Sequence, residues 1–301
     1  MNLETPYILA AAIKEESMKN GNLSRVVKVY GNINSHRSVA DLIRKRSTNK
    51  QDVRDVALAQ IDLASLNRIL DLGCGFGFFT EALTGRVRSG TAVTGVDLIP
   101  GHKPLFMQAC ARAGIKGHFL PGNVSLITTF EDHAFDLVLC SYALYFFPEM
   151  VPHIARILKP DGFFATITHD SQNMGELFDC IKNVMDRYHA HRDHLLPVER
   201  IIRKFSAENG AAILRQWFGQ VKIIDYPNAL VYDMEQLNEI IDYFHFKSPF
   251  FLAGTQIDVK EIAFHLPALL RQKFLSEKGV VISKNDRIFI CMQPHQNEAP
   301  L

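Results

Sequence analysis

The 301-residue chain has no apolar run long enough to cross a bilayer. Its first apolar stretch, "YILAAAI", has no basic flank before it and no small-residue cleavage site after it, so neither a spanning helix nor a secretion signal is expected. Charge of one sign is not in excess: 33 Lys and Arg stand against 32 Asp and Glu, which argues against the broad basic surface of a nucleic-acid binder. Cysteines are few: Cys74, Cys110, Cys140, Cys180 and Cys291 are odd in number, widely spaced and never in a Cys-x-x-Cys pair. That pattern excludes a disulfide framework and fits a reducing cytoplasm. The "HAHRDH" run holds His189, His191 and His194, but without an acidic or cysteine partner at ligand spacing it reads as a solvated helix end, and no metal is expected. Repeats and low-complexity tracts are also missing.

What remains is the composition of an ordinary globular protein, 47% hydrophobic and 22% charged, long enough to bury a substantial core. Thr5 and Pro6 predict the cap and first turn of a helix that fades at Asn20-Gly21, and "SRVVKVYGNI" and "DVRDVALAQIDLA" predict more helix. From Arg68, short apolar runs alternate with helical patterns: "RILDLG", "TAVTGVDL", "KGHFLPGN", "FDLVLCSYAL" and "GFFATITH", with helices near 77–84, 103–113 and 150–158. This alternation predicts a doubly wound parallel sheet. A long helix over "GELFDCIKNVMDRYHAHRDHLL" and a second over "SAENGAAILRQWF", capped by Ser206, should follow. Two strands, "VKIIDY" and "DRIFICMQP", complete the pattern, with helices near 233–246 and 258–277 between them that form a lid. The C-terminal "HQNEAPL" should fray. These boundaries assign 1–62 to an N-terminal helical segment over the ligand site, 63–174 with 219–228 and 280–294 to a core, and 175–218 with 229–279 to a helical cap.

The chemistry concentrates in "LDLGCGFG". Gly73, Gly75 and Gly77 let the backbone pass close beneath a ligand and turn into a helix whose N–H groups face it. The spacing is G-x-G-x-G with Asp71 before it, unlike the G-x-G-x-x-G of pyrophosphate-binding turns, and a carboxylate there suits an ammonium better than a phosphate. Asp97 ends "VTGVDL", where a carboxylate can accept from both hydroxyls of a ribose. Asn123 and Val124 in "PGNVSL" stand where an amide oxygen can accept from an adenine amino group, and Leu98 and Val124 could sandwich the purine. An ammonium, a free ribose and an adenine with no phosphate describe S-adenosylmethionine.

With "GVDL", "FDLVLCSYALYFFPE" and "ARILKPDGFF" in order after the glycine turn, the stretch from Arg68 to His169 resembles the class I S-adenosylmethionine-dependent methyltransferases, particularly their small-molecule type 11 group. The resemblance covers about a third of the chain. It implies an α/β, Rossmann-like, doubly wound, mainly parallel seven-stranded sheet with an antiparallel last strand. It also implies S-adenosylmethionine as cofactor, with S-adenosylhomocysteine as product. Carried over by motif, Asp71, Gly73 and Gly75 surround the methionine moiety, Asp97 the ribose, Leu98, Asn123 and Val124 the adenine, and Cys140 with Tyr145 the inner wall beside the sulfonium; Cys74, within the turn, is a further cofactor-binding candidate. Tyr30 is a candidate for the methionine end. The sequence departs from the family where Asn123 replaces the usual Asp and where Tyr145 replaces a frequent His.

The expected reaction moves the sulfonium methyl to an O, N, S or C atom of a small-molecule acceptor, and the protein mainly aligns the acceptor and excludes water. A base is needed only if the acceptor must lose a proton; the candidates are His169, Tyr142 and Tyr145, all near strand ends. An RNA or protein methyltransferase, a silent S-adenosylmethionine-binding regulator and, remotely, a nicotinamide oxidoreductase stand as alternatives. No membrane or nucleic-acid partner is expected, and a homodimer is left open.

Overall fold

The computed structural model describes residues 21–189, 194–277 and 279–295. The helix expected from Thr5 and the frayed end from Gln296 onward lie outside the described residues, as does His191. In chain order the helices are α1 (Gly21–Tyr30), α2 (Ile33–Arg46), α3 (Val53–Leu58), α4 (Phe78–Glu81), α5 (Lys103–Arg112), α6 (Val151–Ile157), α7 (Gly175–Arg187), α8 (Pro197–Ile202), α9 (Gly210–Leu214), α10 (Leu237–Phe251) and α11 (Val259–Phe274). The strands are β1 (Arg68–Leu72), β2 (Ala92–Asp97), β3 (Lys116–Pro121), β4 (Phe135–Ser141), β5 (Leu158–His169), β6 (Phe218–Tyr226), β7 (Ala229–Tyr232), β8 (Leu275–Ser276), β9 (Gly279–Ser283) and β10 (Asp286–Pro294).

Seven strands form one sheet in the order β3-β2-β1-β4-β5-β10-β6, a Rossmann-like arrangement reversing direction outward from β1. β1 to β5 pair in parallel, and β10 runs antiparallel between β5 and β6, with Asp286 opposite both His169 and Tyr226. The central strands are buried on both faces, as a parallel sheet covered by helices requires. The two-residue period sorts their side chains: Leu70, Leu72, Val138 and Phe164 enter one core, Ile69, Val93, Leu137 and Ala165 the other.

The cap region differs from its sequence reading in three places. The long helix at 175–196 ends at Arg187, and a separate helix begins at Pro197, whose fixed φ favours a first-turn position. Ser206 caps a turn: its hydroxyl donates to Glu208, and the helix starts four residues later at Gly210. Beyond β6, the unexpected strands β7, β9 and β8 build a small antiparallel sheet. The cap is nevertheless a packed unit. α7 buries Leu177, Cys180, Ile181 and Val184 at helical spacing and packs on α11, while α10 meets α1, α2, α8 and α11. Arg46 at the end of α2 grips both oxygens of Glu239 on α10, at 2.6 and 2.7 Å. This bidentate pair fastens the cap to the N-terminal helices.

Candidate active site

At the C-terminal edge of β1, β2 and β4, roofed by α2 and α10, lies a cavity of about 400 Å³. Its floor is the glycine turn. Gly73, Gly75 and Gly77 have φ of 67°, 50° and 87°, the left-handed region that glycine adopts without strain. A Cβ on Gly77 would sit 2.7 Å from Ala109 Cβ, and one on Gly73 3.0 Å from Ala143 Cβ, so close helix packing also demands glycine. Gly75 carries the open side: His36, from α2, lies over it.

Asp97 is built into this turn. It is 8% exposed; Oδ2 accepts from the Gly75 N–H at 2.8 Å, and Oδ1 accepts from the Ile99 N–H at 2.8 Å and faces His102 Nδ1 at 3.2 Å. Its carboxylate therefore holds the turn in shape and offers a ligand only its remaining lone pair. Leu98 and Val124 present half-buried apolar faces to the cavity. Asn123 also lines it, and among the described residues its side-chain amide has no hydrogen-bond partner. Cys74, Tyr30, Tyr142, Tyr145 and His169 complete the expected residues that the structure brings to the wall.

Asp71 and Cys140 do not reach the cavity, which corrects the expectation of direct contact. The two-residue period of β1 puts Asp71 on the Ile69 face, beneath α4, where it is 2% exposed and accepts from the Thr80 hydroxyl at 2.8 Å. Burial, reinforced by the nearby Asp97 charge, pushes its carboxyl up to about 7. Cys140 is fully buried in the core, and burial raises its thiol well above the ordinary range, as it does for Cys74. Neither sulfur has the character of a nucleophile.

At the other end of the cavity, four side chains form one polar cluster. Asp286 accepts from the Tyr142 hydroxyl at 2.8 Å, lies 2.7 Å from His169 Nδ1, and accepts from the Lys284 ammonium at 2.9 Å on both oxygens. Burial opposes its charge, but Lys284 and His169 outweigh that penalty and hold its carboxyl below the usual range. The 2.7 Å contact assigns the Nδ1 proton of His169 as donated to Asp286, leaving Nε2 as an acceptor. Burial, then the Lys284 charge, bring this imidazole down to about 4, so it is neutral at physiological pH.

Tyr142 has a left-handed φ of 53°, and its ring stacks on His169 at 4.8 Å between centroids. Its phenol is committed as a donor to an anion, and burial with Asp286 raises it far above its ordinary value. Burial raises Tyr145 likewise. Of the three base candidates, only His169 is an unprotonated acceptor at neutral pH.

Sequence reasoning missed Lys284, Asp286, His36, His102 and Lys247. The first two had a readable signal: an antiparallel last strand delivers its first residue, not its last, to the C-terminal edge of its parallel neighbours. His36 had none, because a helix lying over the turn is a tertiary fact. Burial, then the charges of Lys247 and His102, lower His36 to about 3, and among the described residues its buried Nδ1 has no partner. His102 Nε2 is likewise unpartnered, and both rings line the cavity. Buried polar atoms left open beside a bare glycine backbone are groups a polar ligand would satisfy. With two apolar plates and a free amide alongside, these residues fit an adenosyl amino acid.

Residues 70–166, β1 through most of β5, match a family model described as a methyltransferase domain. This segment is a class I S-adenosylmethionine-dependent methyltransferase domain. Its curated relatives include the ubiquinone biosynthesis O-methyltransferases of Vibrio cholerae, 28% identical over 145 residues (44% of this chain, 56% of that protein), and of Nitrosospira multiformis, 31% over 112 residues (35% and 45%). The chain thus spans about half the length of the curated relatives it matches. The crystal structure of the [4+2]-cyclase SpnF shares the fold, with a TM-score of 0.54 over 91% of this chain and 95% of that one at 17% identity. The matched segment ends within β5, so Tyr30, His36, His169, Lys247, Lys284 and Asp286 lie outside it. Among the described residues, no helix is long and apolar enough to cross a membrane.

Proposed function

We propose that the chain methylates a hydroxyl group of a small-molecule acceptor with S-adenosylmethionine. The observation that carries this reading is the His169–Asp286 pair at the far end of the cofactor cavity: a hydroxyl is a weak nucleophile that must give up its proton during an in-line transfer, and a neutral imidazole backed by a buried carboxylate can receive it. When bound, S-adenosylmethionine supplies an electrophilic methyl and a leaving group that needs no proton.

The residues divide the remaining work. Leu98 and Val124 hold the adenine between them, and the Asn123 amide accepts from its amino group. Asp97 keeps the glycine turn closed and meets the ribose, together with the open nitrogens of His36 and His102. Gly73 and Gly75 let the methionine end lie against backbone, with Cys74 and Tyr30 beside it. Asp71 acts from beneath, through the turn. His169 Nε2 accepts the acceptor's proton, Asp286 stabilises the imidazolium that forms, and Tyr142 and Lys284 fix the carboxylate. Tyr145 closes the wall between cofactor and acceptor, with Cys140 packed behind it. The described parts of the N-terminal segment (1–62) and of the cap (175–218 with 229–279) cover the core at 63–174, 219–228 and 280–294; this closure excludes water and suits a small acceptor better than a polymer.

The test combines titration with turnover. The protein should bind S-adenosylhomocysteine and not NAD, and His169→Ala should lower kcat roughly 10²- to 10⁴-fold while leaving S-adenosylhomocysteine affinity near that of the parent. Unchanged turnover in that variant would remove the base from the account.

A further inference from the structure

Past the His169–Asp286 pair, the walls of the cavity continue into residues that the cofactor leaves without a task. Tyr226, opposite Asp286 in the sheet, donates its hydroxyl to the Gln51 carbonyl, so the base and the segment joining α2 to α3 stand about one tyrosine side chain apart. Ile43, Val53 and Phe78 line this stretch as apolar wall. Its neutral polar side chains satisfy one another: the Asn228 amide donates to the Ser47 hydroxyl at 3.0 Å and accepts from the Asn49 N–H at 3.1 Å. The middle of the stretch therefore asks for no polar partner.

The outer rim does. Apart from Gly73, the described lining residues that are exposed are Arg44, Lys50 and Gln51. The carboxylate beside them, Asp52, is committed: its oxygens accept from Arg54 at 2.6 and 3.0 Å. Lys50 donates to the Ser47 carbonyl at 2.7 Å, and among the described residues no carboxylate lies within ion-pair distance of it. Arg44 meets Asp41 at 3.3 Å, one turn back on the same helix, in a pair exposed on both sides and worth little. The dipole of α2 accounts for basic residues in its last turn, of which Lys45 and Arg46 turn away to Glu239. It does not account for Lys50, which lies beyond the helix, or for two cations meeting at the mouth of a cavity.

Resting on the methyl-transfer reading, we infer that this stretch is the acceptor's entry and subsite, and that the acceptor is an acid whose carboxylate or phosphate is held at the rim by Arg44 and Lys50. Its hydroxyl reaches His169 Nε2, and a short apolar body between the two groups lies against Ile43, Val53 and Phe78. Exposed cations at a cavity mouth also raise the local concentration of an anionic substrate, and their pull weakens as salt screens it.

The experiment is calorimetric titration of the S-adenosylhomocysteine-loaded protein with 6-hydroxyhexanoate, with 6-hydroxyhexyl phosphate and with uncharged 1,6-hexanediol. An anionic group should tighten binding about three- to tenfold over the diol, and the larger of the two gains identifies the oxyanion. In the parent protein that gain should shrink severalfold between about 0.05 and about 0.5 M NaCl. Arg44→Gln combined with Lys50→Gln should abolish it while S-adenosylhomocysteine affinity stays within about threefold of the parent, whereas Lys45→Gln, in the same basic run but facing Glu239, should leave it intact. Equal binding of the three probes by the parent, no measurable binding of any, a gain indifferent to salt, or a gain that survives the double substitution overturns the inference. So does loss of S-adenosylhomocysteine binding in the double variant at an unchanged Tm, which would place the rim on the cofactor. If the parent protein fails to bind S-adenosylhomocysteine, the methyl-transfer reading falls first and this inference with it; cofactor binding without discrimination among the probes removes the inference alone.

Discussion

Individual residues here carry conflicting demands, and pH exposes them. His169 and His36 are buried neutral, at about 4 and about 3 against an ordinary 6.5. A histidine depressed in the folded state binds its proton more readily when unfolded, so its contribution is intact above pH 6.5 and is lost as pH falls through about 4. Asp71 has the opposite sign: raised from 3.8 to about 7, it contributes fully below 3.8 and loses that contribution as pH rises through about 7. Thermal melts should therefore show His169→Asn losing less stability than the parent between pH 6.5 and 4. Asp71→Asn should gain on the parent between pH 4 and 8. Parallel curves for either variant would show that the group titrates normally. The glycines give a second test at this scale. Gly77→Ala must adopt a left-handed φ and push Ala109, and should cost about 2–4 kcal/mol in urea unfolding, whereas Gly85→Ala, with open space around its Cβ, should cost only about 1–2.

At the scale of elements, legibility followed local periodicity. β1, β2, β4 and β10 were readable because fully buried or alternating apolar runs ended at turn residues, and the glycine turn was readable because its spacing reports backbone shape. The small sheet was not: "ALVY" and "GVVIS" lie almost fifty residues apart, and their pairing is non-local. Site residues divide the same way. Those on motif turns were visible, while His36 and Lys247 reach the cavity only because α2 and α10 cross above it. Arg46 and Glu239 pair across that crossing. Arg46→Ala should loosen the cap, raising amide exchange along α10 and the acceptor KM by about tenfold, with little change in cofactor affinity. Unaltered exchange would mean that apolar packing alone holds α10.

The molecule as a whole is a parallel sheet whose C-terminal edge is made into one continuous site. One end of the cavity has a bare backbone turn, apolar plates and open nitrogens; the other has the buried His169–Asp286 pair and the Lys247 ammonium. The matched segment supplies most of the first end, with His36 added from α2, while His169, the last strand and the cap supply most of the second. This division explains why the family was readable in the sequence while the acceptor chemistry was not: the former depends on one contiguous stretch, the latter on residues brought together from 30 to 286. The most direct test is a crystal structure with S-adenosylhomocysteine bound. The account predicts adenine between Leu98 and Val124 and the sulfur directed past Tyr145 toward His169; a cavity left empty at saturating ligand, or a sulfur turned away from His169, would contradict it.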